Sequence, residues 1–191
     1  MEFFDLVKNR RSVRKYKSQP VDKEDILKIL DAANWAPSAM NWQPWEFIVV
    51  SGELLKSMGN SFKAVMEKMM QESEEKAFND EFIKFVAHYG GAPVVIIVLT
   101  KASEKPNVVK ANLESASAAM ENLVLAATNL GLGTCWMTGP LHDENSLRDI
   151  LDISPDKEIV ALTPLGYPDE VPEPHPRLDA ELKQKVRWLG Y

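Results

Sequence analysis

Six basic residues stand within the first 17 positions of the chain: Lys8, Arg10, Arg11, Arg14, Lys15 and Lys17. Ser12 lies among them. Arginine presents a planar guanidinium that can hold two phosphate oxygens at once, and a serine hydroxyl can bond a phosphate or sugar oxygen. The cluster therefore favours a local anion site. The alternative is a solvated basic face at a helix end, where the negative end of the helix dipole favours cations.

A second group of polar and aromatic residues occupies the segment APSAMNWQPW, residues 36–45. Its amides and hydroxyl, including Ser38 and Asn41, stand between prolines and tryptophans, a mixture that suits a planar heterocycle with a polar edge. The alternative is a helix-to-strand turn whose tryptophans belong to the core, and this is the favoured interpretation for Trp45. For Asn41, turn formation and ligand binding are both open.

Other kinds of chemistry find little support in the sequence. The three histidines are far apart and none sits in a ligand-spaced motif, so we predict no metal site. Cys135 lies in a predicted buried strand, where a thiol more often packs than reacts. The chain has no nucleophile elbow, Walker loop or dinucleotide-binding glycine motif. We therefore assign no catalytic side chain, as expected when a bound cofactor carries the reactivity.

Length and composition narrow the class of protein. The 191 residues, 45% of them hydrophobic, predict one globular domain spanning 1–191. The net charge of −6 argues against general binding to nucleic acid or anionic lipid, and no apolar run is long enough for a membrane span. A single cysteine and a start without an apolar leader lead us to expect a cytoplasmic protein.

Helices and strands are interspersed along the sequence. Residues 22–36 and 108–130 have apolar residues at helical spacing, and Gly131 is a typical helix stop. EFIVVS, APVVIIVLT, GTCWMTG and EIVALTPLGYP are predicted strands, with Pro164 marking an edge or a bend. Within 53–88, Gly59 and the stretch QESEEK at 71–76 interrupt the apolar stripe, so we expect two or three helices and a mobile region. The tail is predicted to begin extended and end in a short helix.

Four segments together resemble the FMN-dependent nitroreductase family: RRSVRKY at 10–16, APSAMNWQPWEFIVV at 36–50, NLVLAATNLGLGTCWMTG at 122–139 and IVALTPLGYPDE at 159–170. Their order and spacing match the family along nearly the whole chain, least within 53–90, where the family varies its substrate cover. The resemblance implies an α+β sandwich, in which helices cover a mostly antiparallel central sheet, built as an intertwined homodimer with FMN at the subunit interface.

The resemblance also assigns FMN-binding residues. Arg10, Arg11 and Ser12 match residues that hold the phosphate and ribityl chain, and Arg14 matches a cation near N1 and O2 of the flavin ring. Arg177 matches a late basic residue that closes on the phosphate. Pro37, Ser38, Ala39 and Asn41 match a stretch that reaches the flavin from the other subunit. The strand end near N5 and O4 is matched by Trp136, Met137, Thr138 and Gly139.

The implied activity is a ping-pong reaction in which NAD(P)H reduces the flavin and a small acceptor, such as a nitroarene or a quinone, then reoxidises it. Protons can come from solvent. One alternative is a specialised reductase or dehalogenase of the same fold, although the substrate lid of the dehalogenating branch is not evident in residues 53–90. Another is a flavin-binding protein without turnover, which would be yellow and unable to oxidise NADH or NADPH.

Overall fold

A computed structural model of the chain describes residues 1–72 and 80–190. The α-helices within these ranges are α1 (Phe3–Asn9), α2 (Lys23–Asn34), α3 (Gly52–Glu72), α4 (Asp80–His88), α5 (Pro106–Asn129) and α6 (Glu144–Leu151). The strands are β1 (Lys15–Tyr16), β2 (Trp45–Val50), β3 (Val94–Lys101), β4 (Gly133–Thr134), β5 (Lys157–Gly166) and β6 (Pro168–Glu170). Short 3₁₀ turns cover Ala39–Asn41, Tyr89–Gly91 and Gly139–Asp143.

The central sheet has the strand order β2-β3-β5-β4, and every neighbouring pair is antiparallel. A separate two-stranded ladder joins β1 to β6 near the start and end of the described chain. The predicted α+β architecture with an antiparallel sheet is therefore confirmed.

Strand β3 shows why the sheet is covered on both faces. Its residues alternate between two cores: Ile96 packs with α2 and α5, whereas Ile97 packs with α3, α4 and α6. Both side chains are completely buried. Successive strand residues point to opposite faces, so a continuous apolar strand needs helices on both sides. The sandwich follows from this run.

Helix α5 packs in the core that contains Ile96, which we call the first core; the core that contains Ile97 is the second core. The central small residues of α5 let the sheet and α2 approach closely, and Ala116 and Ala119 are fully buried. The helix stops where predicted: Gly131 has φ 77°, and the N–H of Leu132 donates to the carbonyl of Ala127 at 2.9 Å. No helix in residues 1–72 and 80–190 has the length and apolarity needed to cross a membrane.

Helices α3 and α4 correct the prediction made for Gly59. This glycine lies inside α3 and does not interrupt it. A Cβ at Gly59 would stand 2.1 Å from the carbonyl oxygen of Ala87 in α4, so the glycine is required by close helix packing. The two described helices agree with the expected number. Most of the predicted break at 71–76 lies outside the described residues, and the mobility expected within 53–88 stays a prediction.

Pro164 lies within β5, opposite Val95 of β3, and so does not mark a sheet edge. Its missing N–H faces the β4 side, where β5 bonds with Met137 through Leu162. The predicted strand GTCWMTG pairs only at β4 and at this Met137–Leu162 bridge. A proline is accommodated because the neighbouring strand leaves the ladder there.

The helix predicted at the end of the tail is wrong: residues 178–190 form turns and coil. Asp179 has φ 54°, and its carboxylate accepts hydrogen bonds from the backbone N–H groups of Lys183, Gln184 and Lys185 at 2.8, 2.8 and 3.1 Å. Such local bonds compete with helix formation. Leu178 is 85% exposed, so little core packing supports a helix here.

Candidate functional site

The predicted anion-binding residues meet around one cavity of about 500 Å³, which we call the arginine cavity. It is lined by Val7, Lys8, Arg10, Arg11, Ser12, Arg14, Pro172, Glu173, Pro174, His175 and Arg177. Five of these residues are lysine or arginine and only one is acidic. The cavity is therefore strongly basic within a protein whose net charge is −6.

Main-chain pairing holds the segment 10–14 against the sheet. Ser12 forms a bridge with Thr134, and the N–H of Val13 donates to the carbonyl of Thr134 at 2.8 Å. Val13 is buried against Gly133, where an added Cβ would stand 2.8 Å from the Cβ of Val13. The hydroxyl of buried Tyr16 donates to the Val13 carbonyl at 2.6 Å. The segment is thus fixed at its centre and bears its cations on either side.

The arginine side chains are partly oriented by the same backbone. Nη1 of Arg11 donates to the carbonyl oxygens of Lys8 and Arg10 at 2.6 and 2.9 Å. Nη1 of Arg14 donates to the carbonyl oxygen of Ser12 at 3.2 Å. A guanidinium has five N–H donors, so each group keeps donors for a ligand.

The β1–β6 ladder brings the tail to the cavity. Lys15 pairs with Glu170 in this ladder, and their side chains form an ion pair of 2.8 Å. Residues 172–177 then continue along the rim, which places Arg177 beside the N-terminal arginines. Glu173 and His175 also line the cavity, although they were not predicted from the sequence. Their only signal is the alternation of prolines in PEPHPR.

The segment Trp136–Gly139 follows β4, which pairs with Ser12, but none of its four residues lines the arginine cavity. Met137 is buried and bonds with Leu162 in both directions, at 2.8 and 3.0 Å. Trp136 is 38% exposed and Thr138 is also exposed. Alternation along this segment therefore anchors one side chain and presents its neighbours to solvent.

Cys135 shows how near the two segments lie. Burial raises the pKa of its thiol, while Arg14, Arg10 and a hydrogen bond with Ser12 act in the opposite direction. The backbone N–H of Cys135 donates to the hydroxyl of Thr163 at 3.1 Å. The raised pKa keeps the thiol protonated at neutral pH, which agrees with the packing role expected for it.

The Pro37–Asn41 turn has a strained backbone, and its polar side chains form hydrogen bonds with the neighbouring Gln43. Met40, Asn41 and Gln43 have φ of 50°, 57° and 48°, in the left-handed region that costs about 1–2 kcal/mol for residues other than glycine. The backbone N–H of Gln43 donates to the Ser38 hydroxyl at 3.0 Å. The side-chain Nε2 of Gln43 donates to Oδ1 of Asn41, also at 3.0 Å. Both polar side chains therefore serve the turn, which leaves a ligand-binding role open.

The aromatic residues around this turn differ in burial. Trp45 is 9% exposed, and its Nε1 donates to Oδ1 of Asn34 at 3.0 Å, as expected for a core residue. Met40 and Trp42 are 83% and 52% exposed. The turn therefore presents a broad apolar surface outside the core.

The turn and the arginine cavity lie towards opposite ends of α5. The N–H of Ala39 donates to the hydroxyl of Ser115 in the first half of this helix, at 3.2 Å. The N-terminal amine of Met1, at the start of the arginine side, donates to Asn129 at the last residue of the helix, at 3.5 Å. At 1.5 Å per residue, these two anchor points are about 20 Å apart along the helix. One chain therefore brings Arg10, Arg11, Ser12, Arg14 and Arg177 together but leaves Pro37, Ser38, Ala39 and Asn41 elsewhere.

Within residues 1–72 and 80–190, no group of His, Cys, Asp or Glu is arranged to hold a metal ion.

Comparison with known proteins gives consistent results. The sequence model of the Nitroreductase family matches residues 7–167, a range that contains every predicted site residue except Arg177. YfhC of Bacillus subtilis, whose provisional name is NAD(P)H nitroreductase, is 31% identical over 88% of this chain and 86% of its own length. The iodotyrosine deiodinase of Thermotoga neapolitana is 30% identical over 91% of this chain and 92% of its own length. A solved structure of a Desulfovibrio desulfuricans protein in complex with FMN is 26% identical, with a TM-score of 0.74 and 97% of each chain covered.

Proposed function

Because the chain belongs to the nitroreductase family, we propose that it is an FMN-dependent oxidoreductase that takes electrons from NAD(P)H and passes them to nitroaromatics, quinones or related small acceptors. The observation that carries this proposal is the arginine cavity. Basic side chains of the N-terminal segment and of the tail line this one cavity.

The lining of the cavity fits the phosphate end of FMN. A terminal phosphate is a dianion with several acceptor oxygens, and guanidinium groups bind such oxygens in pairs. We assign Arg10, Arg11, Ser12 and Arg177 to the phosphate and ribityl chain, and Arg14 to the N1–O2 edge of the ring. Lys8 and His175 line the same cavity and add donors at its rim. FMN, when bound, supplies the electron transfer between NAD(P)H and the acceptor.

The exposed strand end gives the flavin ring a second contact. Trp136, Met137, Thr138 and Gly139 follow the strand that pairs with Ser12, and so lie on the same side of the sheet as the arginine segment. Buried Met137 fixes this backbone, and we assign its main chain to the N5–O4 edge. No side chain is assigned as a general acid.

We propose that Pro37, Ser38, Ala39 and Asn41 complete the site of a partner copy in a homodimer. Support comes from the two attachment points on α5, Ser115 for the turn and Asn129 for the N-terminal segment, which lie about 20 Å apart along the helix. The exposed Met40 and Trp42 give this turn an apolar surface of the kind that subunit interfaces bury. The chain as a whole would act as a single cytoplasmic FMN-binding domain.

A second candidate activity is reductive dehalogenation of an aromatic substrate. The observation that favours it is the 30% identity with an iodotyrosine deiodinase over nearly the whole chain. Both activities would use the same cavity and the same cofactor. They differ in the acceptor, which the helices α3 and α4 would face.

The first experiment identifies the flavin. The purified protein is heated, and the released cofactor is separated by chromatography. We expect FMN, because the cavity suits one terminal phosphate and the sequence has no motif for an adenylate. Recovery of FAD, or a colourless protein that ignores added FMN, would contradict the proposal.

The second experiment identifies the donor and acceptor. The yellow protein is titrated anaerobically with NADH and with NADPH, and is then reoxidised with nitroarenes, quinones, enones and halophenols. Faster reoxidation by nitroarenes or quinones supports the main proposal, and halide release from halophenols as the dominant reaction supports dehalogenation. A yellow protein that neither nicotinamide bleaches would be a flavin-binding protein without this turnover.

A further inference from the structure

The Tyr89–Gly91 turn, between α4 and β3, has three consecutive residues in the left-handed region. Tyr89, Gly90 and Gly91 have φ of 49°, 69° and 83°. Glycine adopts this conformation freely, but tyrosine does so at a cost of about 1–2 kcal/mol. Strain of this kind persists only where surrounding contacts enforce it, and it is found often near functional sites.

Gly90 lies directly against the backbone of Arg14. A Cβ at Gly90 would stand 2.1 Å from the carbonyl oxygen of Arg14 and 2.8 Å from its carbonyl carbon. No side chain fits there unless one of the two backbones moves. The neighbouring Gly91 differs, because its Cβ would lie 3.4 Å from the carbonyl oxygen of Tyr16, which is ordinary contact.

Tyr89 anchors the turn in the second core. Its ring is completely buried and stacks on Phe62 of α3, with centroids 6.1 Å apart and planes inclined by 29°. The Phe62 ring in turn lies against Gly139, where a Cβ would be 3.1 Å from its Cζ. A chain of contacts therefore joins the backbone of Arg14 to the strand end at Gly139 through the turn and α3.

We propose that the Tyr89–Gly91 turn is a positioning element for Arg14, and that the contact of Gly90 with the Arg14 backbone tunes the affinity and reduction potential of bound FMN. This inference rests on the proposed function. Nη1 of Arg14 donates to the Ser12 carbonyl at 3.2 Å, so the position of the guanidinium depends on the backbone that carries both residues. A shift of this backbone moves the cation away from the N1–O2 edge, where negative charge accumulates on reduction.

The same contact links Arg14 to the region that faces the acceptor. The turn follows α4 without an intervening segment, and Gly59 packs α3 tightly on α4. Changes in α3 or α4 that move the turn would therefore alter the flavin potential as well as the acceptor pocket.

The test compares three alanine variants of left-handed glycines. Gly90→Ala introduces both backbone strain and the collision with Arg14. Gly91→Ala, in the same turn, and Gly52→Ala, with φ 65° and no atom within 4 Å of its Cβ, introduce the strain alone. FMN affinity is measured by fluorescence titration, and the two-electron reduction potential by equilibration with reference dyes.

We expect Gly90→Ala to weaken binding of reduced FMN about tenfold more than binding of oxidised FMN, the size of one charge-assisted hydrogen bond. For a two-electron couple this lowers the potential by about 30 mV. Gly52→Ala, outside the turn, should melt earlier than the wild type but keep its potential, whereas Gly91→Ala, which strains the turn without the collision, should shift the potential less than Gly90→Ala does. An unchanged potential in Gly90→Ala, or an equal shift in Gly91→Ala, would overturn the inference.

If Gly90→Ala does not fold, the variant Tyr89→Leu is used to test the proposal instead. It removes the stacked ring that anchors the turn and leaves the glycine contact, so we expect a smaller shift of the potential in the same direction. A wild-type potential in folded Tyr89→Leu would then refute the role of the turn. Failure of the wild-type protein to bind FMN would instead refute the proposed function, so the two failures are distinguishable.

Discussion

The arginine cavity and the Pro37–Asn41 turn are built in opposite ways. The cavity gathers residues from the start and the tail of the chain, and the sheet fixes its backbone through Ser12, Val13 and Thr134. The turn is local: Gln43 bonds back to Ser38 and Asn41. One region is enclosed by its own chain, whereas the other exposes apolar side chains. In the proposed homodimer, the arginine cavity would therefore be formed within one chain, and the turn would complete the site of the partner.

The largest effect is expected from subunit mixing, which tests whether the two regions serve one flavin. A variant altered at Arg10 and Arg14 and another altered at Ser38 and Asn41 should each lose FMN. After exchange of equal amounts, half of the dimers are mixed and hold one intact site, so about a quarter of the sites should recover flavin and activity. Flavin absorbance after gel filtration measures this. No recovery despite proven exchange would mean that each site is built within one chain.

A second prediction separates the cavity from the rest of the basic segment. Arg10→Ala should weaken FMN binding by about 1.5–3 kcal/mol, roughly 10- to 150-fold, because it removes charge-assisted bonds to the phosphate. Lys17→Ala is the control, because Lys17 is exposed and does not line the cavity, and it should cost well under ~1 kcal/mol. If fluorescence titrations show equal losses of FMN affinity in the two variants, the basic cluster is a solvated face and not a phosphate site.

A third prediction concerns the hydrogen bond between Tyr16 and the backbone of the arginine segment 10–14. Tyr16→Phe removes the hydrogen bond to the Val13 carbonyl and should lower the free energy of unfolding by about 1 kcal/mol at neutral pH. Urea denaturation measures this change, with the wild type as reference.

The pH dependence of that variant gives an independent check. Burial raises the pKa of Tyr16 above its usual value of 10.0, with a further increase from Cys135 and a smaller opposing effect of Arg14. Because the folded-state pKa is the higher one, the stability from this group is complete below pH 10.0 and is lost as the pH rises above it. The wild type should therefore lose more stability than Tyr16→Phe above about pH 10. Parallel pH profiles would contradict a buried, neutral tyrosine.

The smallest effect is expected on the turn side. Ser115→Ala removes the acceptor for the Ala39 N–H and should cost about 0.5–1 kcal/mol, since water can partly replace it. The double variant Tyr16→Phe/Ser115→Ala should lose the sum of the two single effects within ~0.5 kcal/mol, because the sites are far apart. A larger coupling would show that the two regions communicate within one chain.

The sequence predicted the elements whose signal is local. Apolar periodicity located α2 and α5, and Gly131 ended α5 at the predicted residue. The continuous apolar run of β3 is typical of a strand covered on both faces, and the two cores provide that cover. Gly59 was misinterpreted because a glycine required by close packing and a glycine that ends a helix look alike until the neighbouring helix is known.

The composition of the cavity was predictable only in part. The N-terminal arginines were predicted because six basic residues stand within 17 positions, whereas Arg177 was predicted from one match in a divergent tail. Glu173 and His175 enter the cavity because β6 pairs with β1, a contact between distant segments that no local pattern encodes. The contact of Gly90 with the Arg14 backbone is hidden for the same reason, because the sequence around Gly90 does not encode which backbone lies against it.

The pairing of Ser12 with Thr134 has a consequence for the order of events during synthesis. Strand β4, which holds Thr134, leaves the ribosome about 120 residues after the arginine segment, and the tail that completes the rim leaves later still. At roughly 5–20 residues per second, the segment waits on the order of ten seconds before its partner emerges. The proposed phosphate site therefore cannot form on a nascent chain that ends before Thr134, and we expect FMN to bind only after this strand has emerged.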